Sequence, residues 1–193
     1  MAQGSLPGRP AAGVAPAARV AILGGESSGK TTLAAALAAH YRTVWVPEYL
    51  REFTETGGRA PFAHEQIEVA RLQVERERQA LPQARDFLFC DTSPLMIAVY
   101  SDFCFGGADA ELERLVREHA YDFTIVTAPD IPWVPDGLQR ESDAVRQAIH
   151  RLILERLQAA GTPFLLAGGS LDRRMRQVSH YLRRRDAMKN EAR

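Results

Sequence analysis

Gly24 to Thr31 (GGESSGKT) has the spacing GxxxxGK[ST] of a phosphate-binding loop. In such a loop the backbone N–H groups and the N-terminus of the following helix cradle phosphates. The lysine reaches the β- and γ-phosphates, and the hydroxyl after it binds Mg²⁺. The alternative is a plain glycine-rich turn, but an apolar strand precedes this loop and an alanine-rich helix follows it, as the motif requires. The sequence therefore predicts a site for ATP and Mg²⁺, formed by Gly24, Gly25, Glu26, Ser27, Ser28, Gly29, Lys30, Thr31 and Thr32.

Two carboxylates follow apolar segments that are expected to be strands. Asp91 ends FLFCD and would orient Mg²⁺ together with Thr31, although it would also serve as a cap for the next helix. Glu48 follows TVWV and would accept the proton of an attacking hydroxyl; the alternative is an acid that complements the dipole of a following helix. Both residues are interpreted as catalytic, together with Lys30.

The segment after the fourth apolar run carries arginines and an indole. Arg140, and less strongly Arg146, would stabilise transition-state charge from a mobile segment, although surface helices also carry arginines routinely. Trp133 would offer a stacking surface to a flat ligand or else anchor its proline-rich loop. Near the C-terminus, the arginines of RRMRQ (173–177) are expected to be solvated, with Arg173 close enough to reach the nucleotide.

The composition of the 193-residue chain excludes several classes of protein. The formal net charge is zero, so no electrostatic footprint for nucleic acid or anionic lipid is indicated. No apolar run approaches the ~20 residues of a membrane span, and two separated cysteines suit a reducing cytoplasm. Lys30 and Lys189 are the only lysines among 24 basic residues, so the lysine in the loop is a distinctive choice. The composition gives no oligomeric state.

Apolar runs and amphipathic segments alternate along the chain. Strands are expected at 19–23, 43–46, 87–91, 123–129 and 163–169. Helices are expected at about 30–40, 64–81 and 94–103, then within 106–120 after a Gly turn at its start, and at 142–160 and 171–185. Ser142 is the expected N-cap of the helix at 142–160, and Gly161 ends it. This order predicts an α/β fold with a five-stranded parallel sheet covered on both faces. The expected organisation is a disordered tail (1–18), one P-loop domain (19–185) and a frayed C-terminus (186–193).

The absence of particular motifs narrows the reaction. An Asn-Lys-x-Asp guanine clamp cannot be built, because Lys30 and Lys189 are the only lysines. The sequence also shows no further domain of a mechanical ATPase. A P-loop, an opposing carboxylate and an arginine-bearing segment together favour transfer of the γ-phosphoryl group to a small acceptor.

Four segments together resemble the kinase domain of NadR-type proteins, the ribosylnicotinamide kinases: GGESSGKTTL, VPEYLRE, FCDTSP and YDFTIVTAPDIPWVPDGLQR. The resemblance covers about residues 19–185. It implies a three-layer fold like that of nucleoside and nucleotide kinases, and phosphorylation of the ribose 5′-hydroxyl of nicotinamide riboside by ATP and Mg²⁺ in NAD salvage. It further implies that Glu48 meets the substrate ribose, that Asp91 meets the metal or the hydroxyl, and that Arg140 belongs to a lid.

The chain also departs from that family. It shows neither the HxGH-type motif of the adenylyltransferase domain nor a DNA-binding region, so NAD synthesis and repression are not expected. Where some members place an aromatic residue before the Glu-Tyr pair, this chain has Pro47, and Tyr49, Tyr100 or Trp133 would have to stack on the acceptor instead. A kinase for another nucleoside and a nucleotide-binding regulatory protein with little transfer remain alternatives, as does the choice of Glu48 or Asp91 as proton acceptor.

Overall fold

A computed structural model of the chain describes residues 16–133 and 142–191, with side chains through residue 183. Arg140, predicted to act from a lid, lies outside the described residues, as does most of the predicted N-terminal tail. The predicted domain boundaries therefore stay predictions.

Within the described residues, five parallel strands form one sheet in the order β2-β3-β1-β4-β5. The strands are β1 (Ala18–Leu23), β2 (Trp45–Val46), β3 (Phe87–Asp91), β4 (Phe123–Thr127) and β5 (Leu165–Ala167). The predicted α/β fold with a five-stranded parallel sheet is confirmed. Strands β2, β4 and β5 are shorter than predicted. Pro47 follows β2 and Pro129 follows β4 closely, and a proline has no N–H to donate to a neighbouring strand, so neither strand extends through it.

Seven α-helices accompany the sheet in the same part of the chain. They are α1 (Lys30–Tyr41), α2 (Tyr49–Gly57), α3 (Gln66–Ala80), α4 (Pro94–Phe105), α5 (Ala110–Glu118), α6 (Asp143–Ala159) and α7 (Leu171–Glu191). The predicted cap of α6 is present, since the Ser142 hydroxyl accepts a hydrogen bond from the Val145 N–H at 3.2 Å. Helix α7 continues past the predicted end at Arg185. None of these described helices is long and apolar enough to cross a membrane.

Different helices cover the two faces of the sheet. Because successive strand residues point to opposite faces, Val20 and Ile22 pack with α1 and α7, whereas Ala21 and Leu23 pack with α4 and α6. All four side chains are at most 1% exposed. This is the predicted three-layer arrangement, and it explains why β1 reads as a continuous apolar run.

The strand order reverses at β1. Strands β2 and β3 lie on one side of it and β4 and β5 on the other. In open α/β sheets ligands bind outside the carboxyl ends of the strands at such a switch point. The segments that follow β1, β3 and β4 therefore meet at one crevice, and these segments carry most of the predicted site residues.

A buried carboxylate joins helix α3 to the start of β4. Glu77 is fully buried, and its two oxygens lie 2.8 Å from the Tyr121 hydroxyl and 2.8 Å from Nε2 of His119. Burial, and secondarily the charge of Glu77, raises the pKa of Tyr121 well above its ordinary value, so the phenol stays a donor. A buried carboxylate oxygen that lacks a hydrogen-bond donor lowers the free energy of unfolding. The bonds of Glu77 to Tyr121 and His119 therefore help to hold α3 in place.

We expect Tyr121→Phe to lower the free energy of unfolding by about 1–3 kcal/mol, because one Glu77 oxygen is then buried without its donor. Urea unfolding monitored by circular dichroism measures the loss. Tyr181→Phe is the matched control, since the Tyr181 hydroxyl is buried without a hydrogen-bond partner among the described residues and its removal should leave the stability unchanged or slightly higher. An equal loss in both variants would contradict the assigned role of the Glu77 bond.

Candidate active site

The backbone of the predicted phosphate loop turns sharply between β1 and α1. Gly24, Ser27 and Gly29 have φ of 155°, 54° and 84°, values that favour glycine. At Gly24 space is also limiting, because a Cβ there would lie 2.1 Å from Oγ1 of Thr127. Both conditions require glycine as the first residue of the motif.

Side-chain hydrogen bonds brace the loop. The Ser28 hydroxyl donates to the Gly25 carbonyl at 2.6 Å and lies 2.7 Å from the Thr127 hydroxyl. Thr127, at the end of β4, donates in turn to the Leu23 carbonyl at 3.1 Å. The Lys30 ammonium, which is 8% exposed, donates to the same Gly25 carbonyl at 3.3 Å. The predicted loop residues thus form one braced unit, apart from Thr32, whose side chain is exposed on the first turn of α1.

Thr31 and Asp91 meet as the predicted metal site requires. The Thr31 hydroxyl donates to Oδ2 of Asp91 at 2.5 Å. Asp91 is 1% exposed, and its Oδ1 has no hydrogen-bond partner in the described part of the chain. A buried carboxylate oxygen that lacks a donor suits a cation. The side chain of Asp91 bonds to Thr31 rather than to the backbone of α4, which favours the metal role over the capping role.

This donor set fits Mg²⁺, which takes oxygen ligands and is usually held by one or two protein groups together with phosphates and water. Among the described residues no group of three or more His, Cys, Asp or Glu side chains is placed to hold a metal. A cation bound by Thr31 and Asp91 would therefore depend on the phosphates of a nucleotide for its remaining ligands.

The backbone directly after Asp91 is strained. Thr92 has φ of 88°, which is rare for a β-branched residue, and its hydroxyl is buried without a partner in the described ranges. Its N–H donates to the Ile22 carbonyl at 3.1 Å, so the pairing of β3 with β1 continues to Thr92. Such strain concentrates at functional sites. Sequence reasoning did not single out Thr92, because its type alone carries no signal of a positive φ.

Glu48 lies near the same charged groups. It is the N-cap residue of α2, a position at which a carboxylate also complements the helix dipole, as the alternative expects, and its side chain makes no capping hydrogen bond. Burial raises the pKa of Glu48; the charge of Lys30 opposes this shift and that of Asp91 adds to it. Glu48 is therefore a carboxylate of increased basicity beside the phosphate loop.

The aromatic candidates for acceptor contact have different surroundings. Tyr100 is partly buried, with its hydroxyl 3.5 Å from Oε1 of Glu26, and burial raises its pKa well above the ordinary value. Tyr49 packs against α3, with the Arg76 guanidinium 4.5 Å from its ring centroid. Trp133 is half-buried, and its Nε1 has no partner among the described residues. Pro47 is exposed.

The arginines are arranged differently from the prediction. Arg146 is 5% exposed and donates to the carbonyl groups of Ser27 and Ile131. It therefore lies behind the phosphate loop, rather than facing it from a mobile segment. Arg173, by contrast, is exposed as expected, and its reach to the nucleotide stays a prediction.

The expectation that the RRMRQ arginines are solvated is wrong for Arg174. Its side chain is 3% exposed and donates to the Ser28 carbonyl. A signal for its burial was available, because Arg174 shares the i, i+4, i+8 stripe of α7 with Val178 and Leu182, which are both fully buried.

We expect Gly24→Ala to weaken binding of the ATP analogue AMP-PNP by at least about tenfold, a loss of about 1.4 kcal/mol, because the added Cβ would displace Thr127 and distort the loop. Isothermal titration measures the affinity. Gly57→Ala is the matched control, since nothing lies within 4 Å of its added Cβ and its φ is not positive. Wild-type affinity in Gly24→Ala would show that the close approach does not shape the site.

The sequence is similar to those of known proteins. Residues 19–174 match the AAA_28 family, described as an AAA domain. Over 151 residues the chain is 31% identical to the trifunctional NAD biosynthesis/regulator protein NadR of Salmonella typhimurium. It is 30% identical to the NadR protein of Escherichia coli over a segment of equal length. Each match covers 76% of this chain but 37% of the relative, so the chain spans little more than a third of their length.

Solved structures share the fold. NadR in complex with NAD and AMP-PNP superposes with a TM-score of 0.70 at 20% identity, over 86% of this chain and 49% of that one. NadR in complex with NR gives the same score and coverage at 19% identity. Thymidylate kinase from Candida albicans gives 0.64 at 13% identity, over 89% of this chain and 93% of that one. Both the sequence match and the P-loop kinase fold lead to one assignment: the chain belongs to the AAA domain family AAA_28 and carries a NadR-type P-loop domain.

Proposed function

We propose that this protein is an ATP-dependent kinase that phosphorylates the ribose 5′-hydroxyl of nicotinamide riboside to give nicotinamide mononucleotide. The observation that carries the proposal is the grouping of Lys30, Thr31, Asp91 and Glu48 at one crevice of a NadR-type fold. Support comes from relatives described as NAD biosynthesis proteins and from NadR structures with AMP-PNP and with NR.

Each residue has a role that follows from its position. The loop N–H groups and Lys30 bind the β- and γ-phosphates. Thr31 and Asp91 would hold Mg²⁺, which neutralises charge on the phosphates when bound. The braces from Ser28 and Thr127 keep the loop from collapsing, so little reorganisation is needed when the nucleotide binds.

Glu48 is the proposed proton acceptor. As the acceptor hydroxyl oxygen bonds to the γ-phosphorus, the bond from that phosphorus to the β–γ bridging oxygen breaks, and the hydroxyl proton passes to the Glu48 carboxylate. Asp91 is less suited to this step, because one of its oxygens already accepts a hydrogen bond from the Thr31 hydroxyl. Burial raises the pKa of Glu48, which suits a general base.

A kinase for a different nucleoside is the second candidate. Pro47 stands where some NadR-type proteins place a stacking aromatic, and thymidylate and deoxyadenosine kinases share the fold. The two candidates use the same phosphoryl-transfer residues and differ only in the acceptor pocket.

We expect Lys30→Ala and Asp91→Asn each to lower phosphoryl transfer by about 10²–10³-fold, because each removes charge stabilisation at the γ-phosphate. The assay uses purified protein, ATP, Mg²⁺ and a nucleoside panel that includes nicotinamide riboside. Lys189→Ala, at the only other lysine, is the control and should retain full activity. Transfer to another nucleoside would replace the substrate, and nucleotide binding without transfer to any acceptor would favour a regulatory protein.

We expect the wild-type rate to rise with pH through an apparent pKa above the ordinary Glu value of 4.5, since Glu48 must be ionised to accept the proton. Glu48→Gln should abolish this limb and reduce the rate by about 10²–10⁴-fold. A pH–rate profile of kcat/KM measures both effects. An unchanged acidic limb in Glu48→Gln would reassign the base to another group.

The raised pKa of Glu48 also predicts an effect on stability, which can be measured without an activity assay. The folded-state pKa of Glu48 is raised, so the folded protein binds more protons than the unfolded chain above about pH 4.5. The contribution of this group to stability therefore falls as the pH rises through the raised pKa. Glu48→Gln should accordingly be more stable than the wild type at neutral pH, and a lower midpoint of thermal unfolding would contradict the assigned burial effect.

A further inference from the structure

Two arginines from separate helices donate hydrogen bonds to carbonyl groups of the phosphate loop. Arg146 belongs to α6 and Arg174 to α7, and they are 5% and 3% exposed. Arginine is seldom buried to this extent unless all of its donors are engaged. Their contacts therefore indicate what they stabilise.

Arg146 connects the loop to the segment after β4. Its NH1 donates to the Ser27 carbonyl at 3.3 Å and to the Ile131 carbonyl at 2.8 Å. Its Nε donates to Asp143 at 2.7 Å. One guanidinium thus joins the phosphate loop, the 128–133 segment and the first turn of α6.

Arg174 makes a parallel set of contacts one residue further along the loop. Its NH1 donates to the Ser28 carbonyl, and its NH2 donates to the Ala128 carbonyl at 3.0 Å and to the Asp130 carboxylate at 2.5 Å. Its Nε donates to the Gly169 carbonyl at 3.0 Å. The two guanidinium groups therefore hold consecutive carbonyl groups of the loop, those of Ser27 and Ser28.

Peptide geometry converts these contacts into a constraint on the binding side. In a planar trans peptide, the C=O of one residue and the N–H of the next point in opposite directions. With the carbonyl groups of Ser27 and Ser28 directed at the arginines, the N–H groups of Ser28 and Gly29 are directed away from them. These are N–H groups of the kind that cradles phosphates in such a loop.

The charge balance also favours an anion on the other side of the loop. The carboxylate partners of the two buried arginines are largely open to solvent, with side-chain exposures of 55% for Asp143 and 41% for Asp130. Solvent screens exposed carboxylates, so the pairs leave positive potential behind the loop. A triphosphate bound at the N–H groups of Ser28 and Gly29 would compensate that positive potential.

We propose that Arg146 and Arg174 are positioning residues for the nucleotide: they touch no phosphate, but they orient the N–H groups of Ser28 and Gly29 and couple the loop to the 128–133 segment. This inference rests on the nucleotide site of the proposed function and does not depend on the acceptor. A lysine in either place keeps the charge but cannot reproduce the several fixed directions of a guanidinium.

The test is equilibrium binding of AMP-PNP with Mg²⁺ to Arg146→Lys and Arg174→Lys, which needs no transfer to any acceptor. We expect each variant to bind about tenfold more weakly or worse. Arg176→Lys, at an exposed position on α7, is the matched control and should bind as the wild type does. Wild-type affinity in both buried-site variants would overturn the proposal.

A purely structural role is separated by thermal unfolding with and without AMP-PNP. A ligand raises stability according to its concentration relative to Kd. If the arginines orient the loop, the nucleotide-induced increase in Tm should shrink in the lysine variants. If they only support the fold, Tm without nucleotide should fall while the increase stays that of the wild type, and that result would overturn the proposal. Should one variant fail to fold, the other carries the same test, because each holds a different carbonyl.

Failure of the proposed function is distinguishable from failure of this inference. If no nucleoside is phosphorylated but the lysine variants lose nucleotide affinity, the positioning role stands and the kinase assignment falls. If transfer occurs, the lysine variants should show a raised KM for ATP with an unchanged KM for the acceptor. A raised acceptor KM alone would contradict the assignment of these residues to the nucleotide.

Discussion

Hydrogen bonds from side chains to its carbonyl groups hold the phosphate loop in shape. Its carbonyl groups accept hydrogen bonds from side chains that belong to other elements or lie further along the loop: Ser28 and Lys30 at Gly25, Arg146 at Ser27 and Arg174 at Ser28. A backbone that keeps its acceptors occupied on one side presents its donors on the other. In the proposed nucleotide site, the orientation of these donors would depend on helices α6 and α7 as well as on the glycines of the motif.

The strand order of the sheet determines which side chains lie beside the phosphate loop. Strand β1 lies between β3 and β4, so the loop after it is flanked by Asp91 on one side and Thr127 on the other. Asp91 bonds to Thr31, and Thr127 lies against Gly24 and Ser28. If β1 were at an edge of the sheet, the loop would lack either Asp91 or Thr127 beside it. The central position of β1 also buries it on both faces, which couples the site to the most stable part of the fold.

Much of the fold was predictable from the sequence because the strands are strongly apolar and the P-loop motif anchors the register between β1 and α1. Helix α2 was not among the predicted elements and entered only as the alternative reading of Glu48: its nine residues are amphipathic, but they bury only Thr54 and are too few to form a helix without packing. The predicted pairing of Thr31 with Asp91 is present in the geometry. The burial of Arg146 was not predicted and Arg174 was wrongly expected to be solvated, because an arginine in a charged stretch is ordinarily solvated.

The sequence by itself determined that an apolar strand, a phosphate-binding loop and a lysine-led helix occur in order, since these are local features of spacing and residue type. It also determined the α/β class, because strands and helices alternate along the chain. Only the tertiary structure decided which distant groups complete the site. Thr92 takes a strained φ, Thr127 reaches β1, and Arg146 and Arg174 bond to consecutive carbonyl groups of the loop. Such contacts join residues about 100 or more positions apart, and no local pattern of residue types encodes which chain segments will pack together.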